Sequence, residues 1–202
     1  MFIAGLTGNY GMGKSFVLLL FRDLGAVTIE SDKVVDKVLK EAKVLSNMKD
    51  LLGPEVFDHK GRLDKRAVAE RIFSDATLRK GVEVILHPLV FEKVDKLLAA
   101  IRDKESLVIV EVPLLFEGGY RERFRKVITV YTAEETAIER LKAAGVPRRD
   151  TIMRLNSQMP ISRKKELADY TIDNSGSREE TRQQVREVYT ALLEDMEKQR
   201  SP

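Results

Sequence analysis

The chain contains no cysteine. That absence excludes a disulfide framework, a thiolate metal site and a cysteine nucleophile, and it permits a reducing compartment. Two histidines occur, neither in an H-E-x-x-H pattern, so a structural zinc site lacks a ligand set. No apolar run approaches the roughly 18 residues that a membrane span requires, and the first residues carry neither a basic n-region nor a signal-type apolar region. Neither sign of charge dominates. With 35 Lys and Arg against 32 Asp and Glu, a net of +3, the surface is mixed, and the sum identifies no partner. The expectation is a soluble, cytoplasmic chain. Its 202 residues, 43% of them hydrophobic, suffice for a full core within one large domain carrying insertions.

Five short apolar stretches, at 2–6, 26–29, 107–112, 127–130 and 170–172, recur with helix-compatible segments between them. Such alternation predicts an α/β fold with a doubly wound, parallel, five-stranded sheet. The spacing is uneven. Residues 32–106 read as several helices, an inserted helical subdomain, and 143–165 form a second insertion, a candidate lid. Thr132-Ala133-Glu134-Glu135 and Ser177-Arg178-Glu179-Glu180 each fit a capping box and predict helix starts. The last helix carries Val185, Val188, Tyr189, Leu192, Leu193 and Met196 on one stripe, a core-facing pattern, and 198–202 read as a polar, frayed tail. His87 precedes Pro88, which places a helix end at His87 and a new helix start at Pro88.

Directly after the first apolar run stands Gly8-Asn9-Tyr10-Gly11-Met12-Gly13-Lys14-Ser15, which reads G-x-x-x-x-G-K-S, with a helix-compatible 14–24 behind it. In that strand–loop–helix setting the pattern is a phosphate-binding loop, because backbone N–H groups must converge on an anion and glycines allow the close approach. Lys14 would reach the β- and γ-phosphates of a nucleoside triphosphate and the Ser15 hydroxyl would ligate Mg²⁺. Ligands in such sheets bind at the carboxyl ends of strands, so acids there are the next candidates. Asp32 follows the second run and is either a base for an acceptor hydroxyl or the N-cap of a helix at 33–40. Glu111 closes the third run, where a carboxylate would contact Mg²⁺ directly or through water. Glu117 is open between a site acid and a surface acid. Arg140, Lys142, Arg148, Arg149, Arg154, Arg163, Lys164 and Lys165 crowd a segment holding the single acid Asp150; they suit a polyphosphate clamp or a solvated basic face. Asp58-His59-Lys60-Gly61 formally matches a GTPase D-x-x-G, but no guanine-reading N-K-x-D or T-K-x-D occurs in the chain.

These pieces resemble the dephospho-CoA kinase family over nearly the whole chain. The resemblance is carried by Gly5-Leu6-Thr7-Gly8 leading into Gly11-Met12-Gly13-Lys14-Ser15, Glu30-Ser31-Asp32, Gly61-Arg62-Leu63-Asp64-Lys65, His87-Pro88-Leu89, Val112-Pro113-Leu114-Leu115-Phe116-Glu117, Arg154-Leu155 with Gln158, and Ala168-Asp169-Tyr170-Thr171-Ile172-Asp173-Asn174 with Gly176. P-L-L-F-E and A-D-x-x-I-x-N are more specific than the phosphate loop. The resemblance implies an ATP-dependent, cytoplasmic enzyme that phosphorylates the ribose 3′-hydroxyl of dephospho-CoA, with Mg²⁺ and no nucleic-acid or membrane partner. It implies ATP on residues 8–16, including Phe16, with adenine near Asn174 and Gly176. It puts Asp32 in the role of base, and places the rest of the acceptor against the helical insertion, His87, Leu114, Leu115, Phe116 and Glu117. Lys14 and Arg140 would neutralise charge, with Arg148, Arg149 and Arg154 in the lid. Phe16 stands where the family usually has threonine, Glu30 and Glu111 where aspartate is common, and Ala144 at an often-arginine lid position. The alternatives are another small P-loop kinase acting on a nucleoside monophosphate or small metabolite, and a non-catalytic ATP-binding module.

Overall fold

A computed structural model describes residues 1–103 and 105–199. They fall into two compact units, one of Met1–Glu30 with Asp103–Pro202 and the other of Ser31–Arg102. The first unit is built on strands β1 (Phe2–Thr7), β2 (Val27–Glu30), β3 (Leu107–Glu111), β4 (Lys126–Tyr131) and β5 (Tyr170–Asp173). All neighbours pair in parallel in the order β2-β3-β1-β4-β5, the expected five-stranded α/β sheet. Because β3 inserts between β1 and β2, the connection leaving β1 runs toward one edge of the sheet while that leaving its neighbour β4 runs toward the other. That creates the switch point at which such sheets bind ligands.

The first unit's helices are α1 (Lys14–Asp23), α6 (Glu134–Ala143), α7 (Arg148–Asn156), α8 (Ile161–Leu167) and α9 (Arg178–Lys198). One sheet face is covered by α1 and α9: Val17, Leu18 and Phe21 with Val185, Val188 and Leu192 close over Phe2, Ala4, Leu6, Ile109, Ile128, Val130 and Ile172. Every residue of β3 is buried, which explains its uninterrupted apolar run. On the other face Gly5 leaves room for a close approach, since a Cβ there would meet Leu115 Cδ1 at 2.5 Å and Phe124 at 3.0 Å.

The Ser177 capping box forms as read: Ser177 Oγ accepts from the Glu180 N–H and the Glu180 carboxylate accepts from the Ser177 N–H. The Thr132 box does not. Ala133 is the N-cap of α6, one residue later than predicted, so Glu135 falls at the second helical position and cannot reach back. Lys198 closes α9 rather than opening a frayed tail, and residues 200–202 of that expected tail lie outside the described residues.

The second unit contains α2 (Ser31–Val38), α3 (Ala42–Leu52), α4 (Lys65–Ser74) and α5 (Ala76–Ala100), with α2, α3 and α4 each packed on α5. Asp64 and Asp75 cap α4 and α5 through bonds to backbone N–H groups of the first turns. The predicted break at His87 is absent, because α5 runs through Pro88. Proline there deprives only the carbonyl four residues earlier, at Val84, which is 65% exposed and open to water.

Candidate active site

The glycine-rich loop sits at the carboxyl end of β1, the middle strand. Gly8, Gly11 and Gly13 have φ of 147°, 78° and 89°, a sequence of turns that L side chains resist. The closest fit is at Gly13. A Cβ there would collide with the Asn174 amide and come within 3.2 Å of its Cγ. That amide donates from Nδ2 to Met12 O at 3.0 Å and accepts from Thr181 Oγ1 at 3.0 Å, so Asn174 bolts the loop to β5 and α9. Gly13 is the N-cap of α1 and no side chain caps this helix. Its first N–H groups and its dipole therefore present a ready anion site. Lys14 Nζ donates to Asn9 O at 3.3 Å, which folds the lysine over the loop.

The loop's outer wall comes from the predicted lid segment. Tyr10 N–H donates to Gln158 Oε1 at 2.8 Å and Asn9 Nδ2 to Met159 O at 3.0 Å. The Arg154 guanidinium stacks 4.6 Å from the centroid of the Tyr10 ring. Phe16, one turn into α1, has Arg178 5.6 Å from its ring centroid. Met12 is 1% exposed, so it offers the loop its backbone only.

The basic run resolves into distinct environments. Arg148 holds Glu135 through two bonds of 2.7 and 3.1 Å, with Glu139 3.7 Å away. Arg163 pairs with Glu166, Lys165 lies 3.7 Å over the Tyr131 ring, and Arg140 and Arg149 are exposed. Lys164 departs furthest from a solvated face. It is fully buried, 2.9 Å from Glu117. Burial pushes its ammonium below the usual lysine range, against the pull of the Glu117 carboxylate. Glu117 is consequently no surface acid, and Leu115, 0% exposed, belongs to the core.

At the carboxyl edge of the sheet Glu111 is 4% exposed and stands in register with Leu6 of β1 and Glu30 of β2. Ser15 is exposed on the first turn of α1. Among the described residues no group of three or more His, Cys, Asp or Glu is poised to hold a metal. The Ser15 hydroxyl and the Glu111 carboxylate are hard oxygen donors that fit Mg²⁺, which keeps most of its shell as water and phosphate oxygen and takes one or two protein oxygens.

In the second unit, α2 begins at Ser31. Asp32 therefore lies inside the first turn, exposed, rather than at the N-cap of a helix starting at Lys33. A carboxylate there is favoured by the helix dipole. His87, half-buried in α5, is held below the ordinary histidine value by burial first, with Glu83 opposing and Lys80 reinforcing.

Sequence reasoning passed over Thr7, whose hydroxyl donates to Pro113 O at 3.1 Å, and Thr181 behind Asn174. It also missed the anchoring role of Met159. The first two bonds join residues 106 and 7 positions apart, and no local pattern announces them.

A parallel sheet with this loop on its middle strand and an uncapped helix behind it defines a P-loop α/β protein, and the site is that of a P-loop kinase. A model of the family described as dephospho-CoA kinase matches residues 2–180. A dephospho-CoA kinase of Aquifex aeolicus is 36% identical over 95% of this chain and 97% of its own. A crystal structure from Thermus thermophilus superposes with a TM-score of 0.82 at 33% identity, covering 95% of this chain and 97% of that one. The dephospho-CoA kinase of Campylobacter jejuni gives 0.66 at 26%, covering 93% and 95%. The chain belongs to the dephospho-CoA kinase family.

Proposed function

We propose that this chain transfers the γ-phosphoryl group of ATP to the ribose 3′-hydroxyl of dephospho-CoA, giving CoA and ADP, the last step of coenzyme A synthesis. The observation that carries the reading is the loop at 8–15, with glycines at positive φ leading into a helix that no side chain caps, in a chain of this family. Phosphoryl transfer asks a protein mainly for positioning and charge neutralisation. Backbone N–H groups of residues 11–16 receive the ATP phosphates, and Asn174 and Gly176 border its adenine. Lys14 and Arg140 offset the charge on the transferring group. Ser15 Oγ and Glu111, the latter directly or through water, would hold Mg²⁺, which would supply charge neutralisation for the transfer.

Asp32 accepts the proton of the acceptor hydroxyl. In balance, the hydroxyl oxygen forms a bond to γ-phosphorus, the bond from γ-phosphorus to the bridging oxygen breaks, ADP leaves with that electron pair, and the proton rests on Asp32. Residues 32–106 form the acceptor-binding insertion, with His87, Leu114 and Phe116 in contact with dephospho-CoA. Of the expected lid at 143–165, residues 143–157 form the moving part, bringing Arg148, Arg149 and Arg154 toward the polyphosphate, because Gln158, Met159 and Lys164 are anchored to the loop and the core. Closing it excludes water and limits hydrolysis. The reaction needs neither nucleic acid nor membrane and belongs in the cytoplasm; among the described residues no helix is long and apolar enough to cross a membrane.

An ADP-release assay comparing dephospho-CoA, AMP, CMP and no acceptor tests the reading. Turnover should be much faster with dephospho-CoA. Equal or faster turnover on a nucleoside monophosphate would point to a different small kinase, and no turnover with any acceptor to a binding module.

A further inference from the structure

Lys164 is the least expected feature of the first unit: a lysine within a basic run, on a seven-residue helix packed against β4, with no exposed surface. Its Nζ donates to Pro113 O at 3.0 Å and pairs with Glu117 Oε1 at 2.9 Å. Burying such a pair is a poor way to gain stability, since desolvation offsets most of the attraction and apolar side chains of similar volume often do as well. What it does supply is position.

Two chains of bonds run from this ammonium to the phosphate loop. On one side Pro113 O, the acceptor of Lys164, also accepts from Thr7 Oγ1 at 3.1 Å. On the other, Glu117 Oε1 also accepts from the Met159 N–H at 2.9 Å, and Met159 O in turn accepts from Asn9 Nδ2 at 3.0 Å. The neighbouring Gln158 takes the Tyr10 N–H. Both chains end on residues 7–10, the entry to the loop. That stretch is held by polar bonds, because the buried Thr7 hydroxyl, the buried Asn9 amide and the Tyr10 N–H each need a partner away from water. The Lys14 ammonium also acts on Lys164, lowering its proton affinity, so the buried charge stands within electrostatic reach of the phosphate site itself.

We propose that Lys164 is a positioning residue for nucleotide binding: clamped between Pro113 O and Glu117 Oε1, it fixes residues 113–117 and 158–159 as a strut that holds 7–10 in the shape that receives phosphate. The proposal rests on the reading of ATP as the donor. It gives Glu117 a duty toward the nucleotide, not toward the acceptor that the family resemblance implies.

The test is calorimetric titration of the full chain with MgATP and, separately, with dephospho-CoA. In Lys164→Met the Kd for ATP should rise about tenfold or more, as loss of a charged hydrogen-bond node implies, while the Kd for dephospho-CoA stays within about threefold, less than one such bond. Unchanged affinity for both ligands, or an equal loss of both, overturns the strut. Should Lys164→Met not fold, Gln158→Ala decides, because it cuts the Tyr10 link and leaves the buried pair intact. Weakened ATP binding with dephospho-CoA binding retained supports the strut, and parent-like ATP binding overturns it. A parent protein that binds no ATP overturns the donor reading and this proposal together, whereas a parent that binds, with variants that match it, overturns this proposal alone.

Discussion

Gly13→Ala is the sharpest perturbation of the loop, because the structure specifies what the added methyl group meets. With φ at 89° an alanine pays about 1–2 kcal/mol for the left-handed backbone alone. Its Cβ also occupies the space of the Asn174 amide, which must swing away from Met12 O and from Thr181. Each of those two bonds contributes about 0.5–1.5 kcal/mol net. The sum is about 2–5 kcal/mol, a fall in Tm of roughly 4–20 °C for a chain of this length. Thermal unfolding followed by circular dichroism measures it, and ATP binding should be lost in the same variant. A double-mutant cycle with Asn174→Ala isolates the cause. Once the amide is gone, adding Gly13→Ala should cost only the backbone part, about 1–2 kcal/mol. If Gly13→Ala costs as much beside Asn174→Ala as it does alone, the collision is not the reason and the bolt between loop and β5 is refuted.

Asp32→Asn keeps the shape and removes the base, so kcat should fall about 10²–10⁴-fold with Tm nearly unchanged; activity retained within a few-fold would make Asp32 a helix-dipole acid only. His87 is held below the ordinary 6.5 by burial, so the unfolded chain takes up its proton first as the pH drops below 6.5. The stability His87 confers is therefore full above 6.5 and lost as the pH falls toward its folded value. His87→Gln should flatten Tm against pH in that window, and an NMR titration placing His87 at or above 6.5 would contradict the assignment. Ser177→Ala should cost about 1 kcal/mol through the capping box at α9, and a denaturation midpoint equal to that of the parent would count against it.

The strands were legible because a parallel sheet covered on its faces needs mostly apolar runs: β3 supplies an unbroken one over 107–110, and β4 one interrupted only by the buried Thr129. The phosphate loop was legible because its chemistry is local: glycines, lysine and serine at fixed spacing. Features that depend on distant partners were not. Thr132 and Glu135 have the letters of a capping box, yet α6 starts one residue late and Glu135 is spent on Arg148. Pro88 has the letters of a break, but its cost falls on the exposed turn at Val84, and α5 continues.

Lys164 shows the same limit in charge. Eight basic residues read alike in the sequence, while burial depends on which face of a seven-residue helix meets β4. The late A-D-x-x-I-x-N motif makes the point from the opposite side, since it was legible as a signature before its physics was. Asp169 accepts from the Val127 N–H at 2.7 Å and from Arg121 at 2.8 Å, fixing the start of β4. Ile172 is buried in the core, and Asn174 bonds Met12. Its three named anchors thus run from the amino end of the sheet, through the core, to the phosphate loop at the carboxyl end. A change at Asp169, on the edge remote from the loop, should then reach ATP binding through the register of β4 and β5. Asp169→Asn keeps one acceptor oxygen but loses the charge that Arg121 and Lys126 share. It should lower Tm by several degrees, a loss of about 1–3 kcal/mol, and weaken ATP binding less than Asn174→Ala does. ATP affinity equal to the parent's in Asp169→Asn, with Tm lowered as expected, would show that β5 does not act as a rigid connection between the two ends.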